Sequence, residues 1–339
     1  MSSKSRPSCN EAKAVSVKSD EKMAVEIPHE KWSGKIEEVV IGATKEEGGT
    51  RAKKITVGGE TTLPFLTFEG ALPHKPVIAI EVHDTVPTYP DSLREIFEPV
   101  WDKPEQWAKV AVEKWHADLI CLKLKGIAPD GLNKTPQEAF STVEKVLKSV
   151  DVPLFIYGCG DEEKDAKVFN ECGELIKKER CTIGLAENEK YKSLAAAAMG
   201  FNCNIVAFSN IDINLAKQLN ILLTDFGVKK NRILMDPLQA GLGYGLEYSY
   251  SIIERLRLGA LLGDAMLQMA IVCDSTVAWD AREAVDESYP GELATRGILW
   301  EATTAISALT AGADVIIMRH PRAVELVRNT IEKLTGKIG

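Results

Sequence analysis

Residues 182–237 read TIGLAENEKYKSLAAAAMGFNCNIVAFSNIDINLAKQLNILLTDFGVKKNRILMDP, and in them three short apolar runs, TIGLAE, NIVAFS and RILMDP, alternate with two segments of helical period. An apolar run without polar alternation is a strand buried on both faces, the condition of a parallel sheet covered by helices. In the second helical segment Leu215, Leu219, Leu222, Leu223 and Phe226 form one stripe, which ends at Gly227.

The same alternation extends in both directions. Before it stand VIAIEV (77–82), LICLKL (119–124) and PLFIYG (153–158); after it stand MAIVCD (269–274) and DVIIMR (314–319), which brings the strands to eight. Between them, Thr135, Pro136 and Glu138 spell a capping box with proline at the first helical position. A further stripe, Ile298, Ala302, Ala305, Ile306 and Leu309, stops before Gly312. Eight strand and helix units between residues 77 and 335 have the size of a closed (β/α)8 TIM barrel, with a doubly wound open sheet as the runner-up. Residues 1–34 are polar and show neither period, so they are expected to be a flexible tail. Residues 35–76 carry two β-like runs, Ile36 to Ile41 and Lys54 to Val57, around Gly48 and Gly49, and are expected to form a hairpin capping the barrel.

Composition narrows the class of function. Among 339 residues, 41 Lys plus Arg stand against 49 Asp plus Glu, a formal charge of -8, which argues against a nucleic-acid binder. Seven cysteines without a C-x-x-C pair give no zinc or iron-sulfur signature and read as reduced thiols of an intracellular protein. Neither a membrane-spanning apolar run nor a secretory signal is visible, so the expected location is the cytoplasm.

In a barrel of this kind function lies in the loops after the strand C-termini. Those loops hold His83 and Asp84, Lys125 and Gly126, Cys159 to Asp161, Glu187 and Asn188, Asn210 and Asp212, Asp236, Asp274 and Ser275, and Arg319 and His320. Gly241, Gly243 and Gly245 surround Tyr244 just before a helix, where backbone N–H groups can approach a ligand closely; a tight loop that merely closes the barrel is the alternative. The carboxylates and amides Asp84, Glu187, Asn188, Asn210 and Asp236 suit a neutral, donor-rich ligand better than an anion. Helix N-caps are the competing role for Asp212, Asn188 and His320, and packing is the expected role of Cys159 and Cys273. With no i, i+4 histidine pair and no G-x-S-x-G elbow, neither a metal site nor a hydrolytic triad is visible. The long stretch STVAWDAREAVDESYPG (275–291) is either a lid or partner contact or a solvated surface loop.

The segments VVIGATKEEGGTRAKKITVGGE (39–60), LPFLTFEG (63–70), YGCGDEEKD (157–165), ENEKYKSL (187–194), GLGYGLEYSYSIIERLRLGAL (241–261), RGILWEA (296–302) and MRHPRAV (318–324) resemble the small (delta) subunit of the corrinoid iron-sulfur protein of the acetyl-CoA synthase / CO dehydrogenase system. The resemblance runs from about Met23 to the C-terminus. It implies a barrel that pairs with a large subunit to form a heterodimeric methyl carrier of the reductive acetyl-CoA (Wood-Ljungdahl) pathway. In such a carrier the corrinoid lies between the barrel mouth and the large subunit, which also holds the iron-sulfur cluster. The cobalt takes a methyl group from methyltetrahydrofolate through a separate methyltransferase and passes it to acetyl-CoA synthase. Combined with position in the barrel, the resemblance puts Asn210, Asp236, Gly241, Gly243, Tyr244, Gly245 and Asp274 against the corrinoid and makes none of them catalytic. Two other readings compete: a barrel that is itself a pterin-dependent methyltransferase acting on methyltetrahydrofolate, and a structural subunit whose mouth only packs on a partner.

Overall fold

A computed structural model describes residues 28–336, and most of the predicted tail, residues 1–27, lies outside them. The first two strands, β1 (Val39–Ile41) and β2 (Ile55–Val57), pair antiparallel, with Val39 opposite Val57. The loop between them makes a 3-10 turn at Lys45–Glu47 that ends on Gly48 in the left-handed region, φ 87°, and a Cβ on Gly49 would sit 2.2 Å from the Ala43 carbonyl oxygen. This is the expected hairpin, and the glycine pair is there because no other residue fits both positions.

Eight parallel strands then close a barrel: β3 (Val77–His83), β4 (Leu119–Lys123), β5 (Leu154–Tyr157), β6 (Thr182–Ala186), β7 (Asn204–Phe208), β8 (Ile233–Asp236), β9 (Ala270–Asp274) and β10 (Val315–Met318), with β10 pairing back onto β3. Each expected strand is found within two residues of its predicted ends, so the (β/α)8 barrel holds and the open sheet does not. Alternate residues of every strand face the lumen. At the N-terminal end the lumen is filled by Ala79, Leu119, Phe155, Leu234 and Val315, and the hairpin stoppers it with Val39, Ile41, Ile55 and Val57. The stopper is tied down where Asn204 Nδ2 donates to the Val40 carbonyl, 2.9 Å. Beside the hairpin, Ser33 and Gly34 donate their backbone N–H groups to the Leu261 carbonyl, 3.1 and 2.8 Å.

The helices cover the outer face. Helix α3 (Pro136–Ser149) begins with the predicted capping box, Thr135 Oγ1 accepting from Glu138 N at 3.2 Å and Glu138 Oε2 from Thr135 N at 2.7 Å. Helix α6 (Ile213–Phe226) starts on Asp212, which accepts from Asn214 N and Leu215 N, and ends on Gly227 at φ 113°. Its stripe is narrower than predicted: Ala216, Leu219 and Leu223 are buried, whereas Phe226, the last helical residue, is exposed. Helix α10 (Pro321–Thr335) is capped by His320, whose Nδ1 accepts from Arg322 N at 3.0 Å. Asn188 is not an N-cap; its amide instead donates to Gln218 Oε1 at 3.4 Å.

The first part of the stretch after β9 departs from the surface-loop reading, while Glu287, Ser288, Pro290 and Gly291 are exposed as that reading has them. Ser275–Asp280 form a buried 3-10 turn and Arg282–Val285 a short helix, packed against α9 (Leu293–Ala311). Ala278, Trp279, Ala281 and Ala284 supply an apolar face, and Trp279 Nε1 donates to the buried Glu301 at 2.8 Å. Alanines at close spacing look neutral in a hydropathy reading, yet here they let the turn lie flat on α9, where Gly297 leaves room for the Trp279 ring.

Candidate functional site

Lumen parity fixes which residues meet at the other end of the barrel. Two residues past the apolar layer, Ala79 is followed by Glu81, Cys121 by Lys123, Phe155 by Tyr157, Leu234 by Asp236, Val272 by Asp274 and Ile317 by Arg319. The top of the lumen is therefore polar. Lys123 Nζ lies 2.7 Å from both Glu81 Oε2 and Asp274 Oδ2. Glu81 also accepts from the Tyr89 hydroxyl at 2.7 Å, meets His83 Nε2 at 3.1 Å and pairs with Arg319 Nε. The Arg319 guanidinium in turn covers the Tyr89 ring, 4.4 Å from its centroid.

Burial alone would raise the Glu81 carboxyl, but Arg319, Lys123 and His83 hold it well below the usual carboxylate range. Burial would lower the Lys123 ammonium, and Asp274 with Glu81 outweighs it, so lysine and glutamate stay charged. Asp236 differs: buried, with a single hydrogen bond from Leu238 N at 3.0 Å, its carboxyl is pushed up to about 7 by desolvation. Glu301, behind the mouth, is also pushed up to about 7 by burial, although Trp279 and the backbone N–H groups of Arg319 and His320 donate to it.

The glycine loop forms the rim. Ser249 of α7 (Leu246–Leu261) donates to the Leu238 carbonyl and accepts from Ala240 N, and Thr304 of α9 accepts from Leu242 N at 3.0 Å. So anchored, the loop presents Gly243 (φ 72°), Tyr244 and Gly245 (φ 94°) to solvent, and Tyr244 is 68% exposed. Gly241 is buried beneath, where a Cβ would touch the Ala278 backbone at 3.1 Å. Asn210 lies exposed on the adjacent loop, which Ile211 N ties to the Pro237 carbonyl, 3.1 Å.

Of the predicted ligand residues the structure thus gathers Asp236, Gly241, Gly243, Tyr244, Gly245 and Asp274 at one mouth, with Asn210 at its edge. Asp274 has both oxygens engaged by Lys123 and Thr276. Asp84 does not belong to the mouth surface: it accepts from Gly126 N at 2.8 Å and pairs with Lys134 at 3.3 Å, holding a loop together. Both mouth histidines are committed as well, His83 stacked on Trp107 and His320 on Trp279. Sequence reading missed Glu81, Lys123, Tyr157 and Glu301. For the first two the signal was present, a charge inside an otherwise unbroken apolar run.

Five buried oxygens at the mouth end have no hydrogen-bond partner among the described residues: Tyr157 OH at the end of β5, Asn188 Oδ1 after β6, Ser209 Oγ after β7, Gln239 Oε1 after β8 and Ser275 Oγ after β9. Isolated orphans are ordinary, but orphans at the same end of five neighbouring strands mark a lumen top whose hydrogen-bonding capacity the described residues leave unused. The roomier cleft, about 630 Å³ between Arg51, Val112, Leu147 and Glu179, lies away from the mouth, and its buried charges are already paired at 2.8 Å. Chemistry therefore points to the mouth rather than to the larger hollow.

The closed barrel of eight parallel strands with alternating helices is a (β/α)8 TIM barrel. Solved structures of dihydropteroate synthases share the fold: that of Xanthomonas albilineans with 7,8-dihydropteroate at a TM-score of 0.53, 10% identical, covering 81% of this chain and 99% of that one, and that of Coxiella burnetii with pteroic acid at 0.53, 12% identical, covering 80% and 97%. At that identity the likeness is one of fold alone. Sequence is more specific. Residues 38–335 match the family described as CO dehydrogenase/acetyl-CoA synthase delta subunit, and the chain belongs to that family. Similar relatives include the acetyl-CoA decarbonylase/synthase complex subunit delta of Methanosarcina mazei, 37% identical over 91% of this chain and 72% of its own length, and that of Methanocaldococcus jannaschii, 36% identical over 96% and 80%. The resemblance seen in the sequence is thereby borne out. Among the described residues no helix is long and apolar enough to cross a membrane.

Proposed function

We propose that this chain is the small subunit of a heterodimeric corrinoid iron-sulfur methyl carrier and that its barrel mouth caps the corrinoid held by the large subunit. The observation that carries this reading is the exposed glycine loop, Gly243 to Gly245, anchored by Ser249 and Thr304 over a polar lumen top. A corrin has apolar faces and a rim of amides, and the mouth meets both needs. Gly243 and Gly245 allow close backbone approach, Tyr244 supplies an exposed ring, and Asn210 with Asp236 offers hydrogen-bond acceptors to amide N–H groups. His83 Nε2 meets Glu81 and His320 Nδ1 accepts from Arg322 N, so each mouth imidazole has one ring nitrogen engaged within the chain.

Bound there, the corrinoid supplies the cobalt that carries the methyl group from methyltetrahydrofolate, through a methyltransferase, to acetyl-CoA synthase. The chain's own contribution is to orient the rim and exclude water; the iron-sulfur cluster belongs to the partner. The Glu81 and Asp274 carboxylates balance the Lys123 and Arg319 cations, which suits an amide-rich ligand better than an anion. The test is the ultraviolet-visible spectrum of the chain purified alone and together with its large subunit. Corrinoid and iron-sulfur absorption confined to the joint preparation supports the reading; a colourless joint preparation contradicts it.

A second reading, a pterin-dependent methyltransferase, draws on Asp236, a buried carboxyl whose second oxygen accepts nothing from the described residues. It requires methyl transfer from methyltetrahydrofolate to free cobalamin by this chain alone, and failure of that transfer removes it.

A further inference from the structure

The N-terminal end of the barrel carries an unusual pair. The sequence KKER (177–180) immediately precedes β6 and KKNR (229–232) immediately precedes β8, so two K-K-x-R segments flank the start of β7 in a chain whose net charge is -8. Glu179 does not neutralise the first segment, because it is buried and held by Arg51 at 2.8 Å. Arg180 has Glu47 as its nearest carboxylate, at 3.8 Å, and Glu47 is already bound to Lys54 at 2.9 Å. The Arg180 Nε is buried and donates to nothing among the described residues. Arg232 hydrogen-bonds only to neutral oxygens, Asn204 Oδ1 at 3.1 Å and Asn202 Oδ1 at 2.6 Å, with Asn202 O at 3.4 Å.

Burial and then the neighbouring Arg180 disfavour the Arg232 charge, and no carboxylate is paired with Arg232 among the described residues, a cost that folding alone does not explain. Beside Arg232 opens a cleft of about 270 Å³ walled by Ala198, Met199 and Val228 with Lys229 at its edge, and Met199 is 49% exposed. We propose that Arg180 and Arg232 form a carboxylate receptor for an acidic segment of a partner polypeptide, one that places a neighbouring apolar side chain in the Met199 cleft. A small phosphate ion would use the arginines but leave the apolar wall idle. The site lies at the opposite end of the barrel from the mouth, so this interaction is independent of the corrinoid reading and leaves the mouth free.

The experiment uses the full chain and a capped peptide of alternating glutamate and leucine, with the glutamine counterpart and inorganic phosphate as comparison probes. The glutamate peptide is expected to bind, more weakly as ionic strength rises, and the glutamine peptide not to bind. Arg180→Gln should weaken binding about tenfold or more, and Arg180→Lys less. Since the Arg180 guanidinium makes no hydrogen bond among the described residues and its nearest carboxylate is 3.8 Å away, Arg180→Gln should melt no lower than the wild type, which separates lost binding from lost folding. Equal binding by wild type and Arg180→Gln overturns the proposal. So does Arg180-dependent binding of phosphate without binding of the glutamate peptide, which would make this a small-anion site.

Discussion

The two ends of the barrel are built from the same strands and treat polar groups in different ways. At the hairpin end the deeply buried charges are matched. Arg51 pairs with Glu179 and donates to the carbonyls of Leu147, Val150 and Val152, and Arg257 pairs with Asp314 at 2.8 Å and with Glu60 at 3.4 Å. At the mouth the charges are matched too, but a row of uncharged oxygens and one carboxylate oxygen of Asp236 are left over. Unused polar atoms are not confined to the mouth, since the Nε atoms of Arg180 and Arg257 are left over at the hairpin end; what differs is their kind, charged donors at one end and mostly neutral oxygens at the other.

That contrast can be broken by substitution, and the largest effect belongs to the hairpin end. Arg51→Met leaves the buried Glu179 charge without its cation and three carbonyls without this donor, and is expected to lower unfolding free energy by about 3–5 kcal/mol in denaturant titration while leaving mouth ligand binding intact. Next comes Asp236→Asn at the mouth. The folded carboxyl titrates at about 7, above its ordinary value of 3.8, so the folded state holds this proton more tightly. The associated stability is complete below about pH 4 and lost as pH rises to about 7. Asparagine keeps an oxygen for Leu238 N, so the variant should exceed the wild type by roughly 2–4 kcal/mol at pH 8 and match it near pH 4. Equal stability at both pH values would place the Asp236 carboxyl in the ordinary range.

Smaller effects sharpen the picture. Trp279→Phe removes one of the donors to Glu301 and should cost about 1–2 kcal/mol, measured by thermal unfolding. Thr135→Ala takes away a cap on the outer shell and should cost about 1 kcal/mol with no effect at either end of the barrel.

The barrel was legible because its strands are apolar on both faces and its helices carry caps, signals that are local in sequence. Thr135, Asp212, Gly227 and His320 all take the roles their residue types favour. The mouth was legible in part. Asp236 and the glycine loop follow from position near a strand end, whereas Glu81 and Lys123 lie within strands, and their pairing joins residues 42 apart in sequence on the neighbouring strands β3 and β4. Glu301 sits on a helix and reaches the mouth only through Trp279 and the N–H groups of Arg319 and His320, a contact no local pattern encodes. The segment after β9 misled for a different reason, since its alanines become a packing face only when α9 is known to lie beneath them.

The most direct test of the central claim is the corrinoid content, per mole of heterodimer, of Gly243→Glu and Tyr244→Glu measured against wild type by visible absorption. Both positions are exposed and bear on nothing that stabilises the fold beyond the φ of 72° at Gly243, which costs only about 1 kcal/mol. The account predicts heterodimers that still form but have lost their corrinoid. Heterodimers that retain a full complement of corrinoid would contradict it.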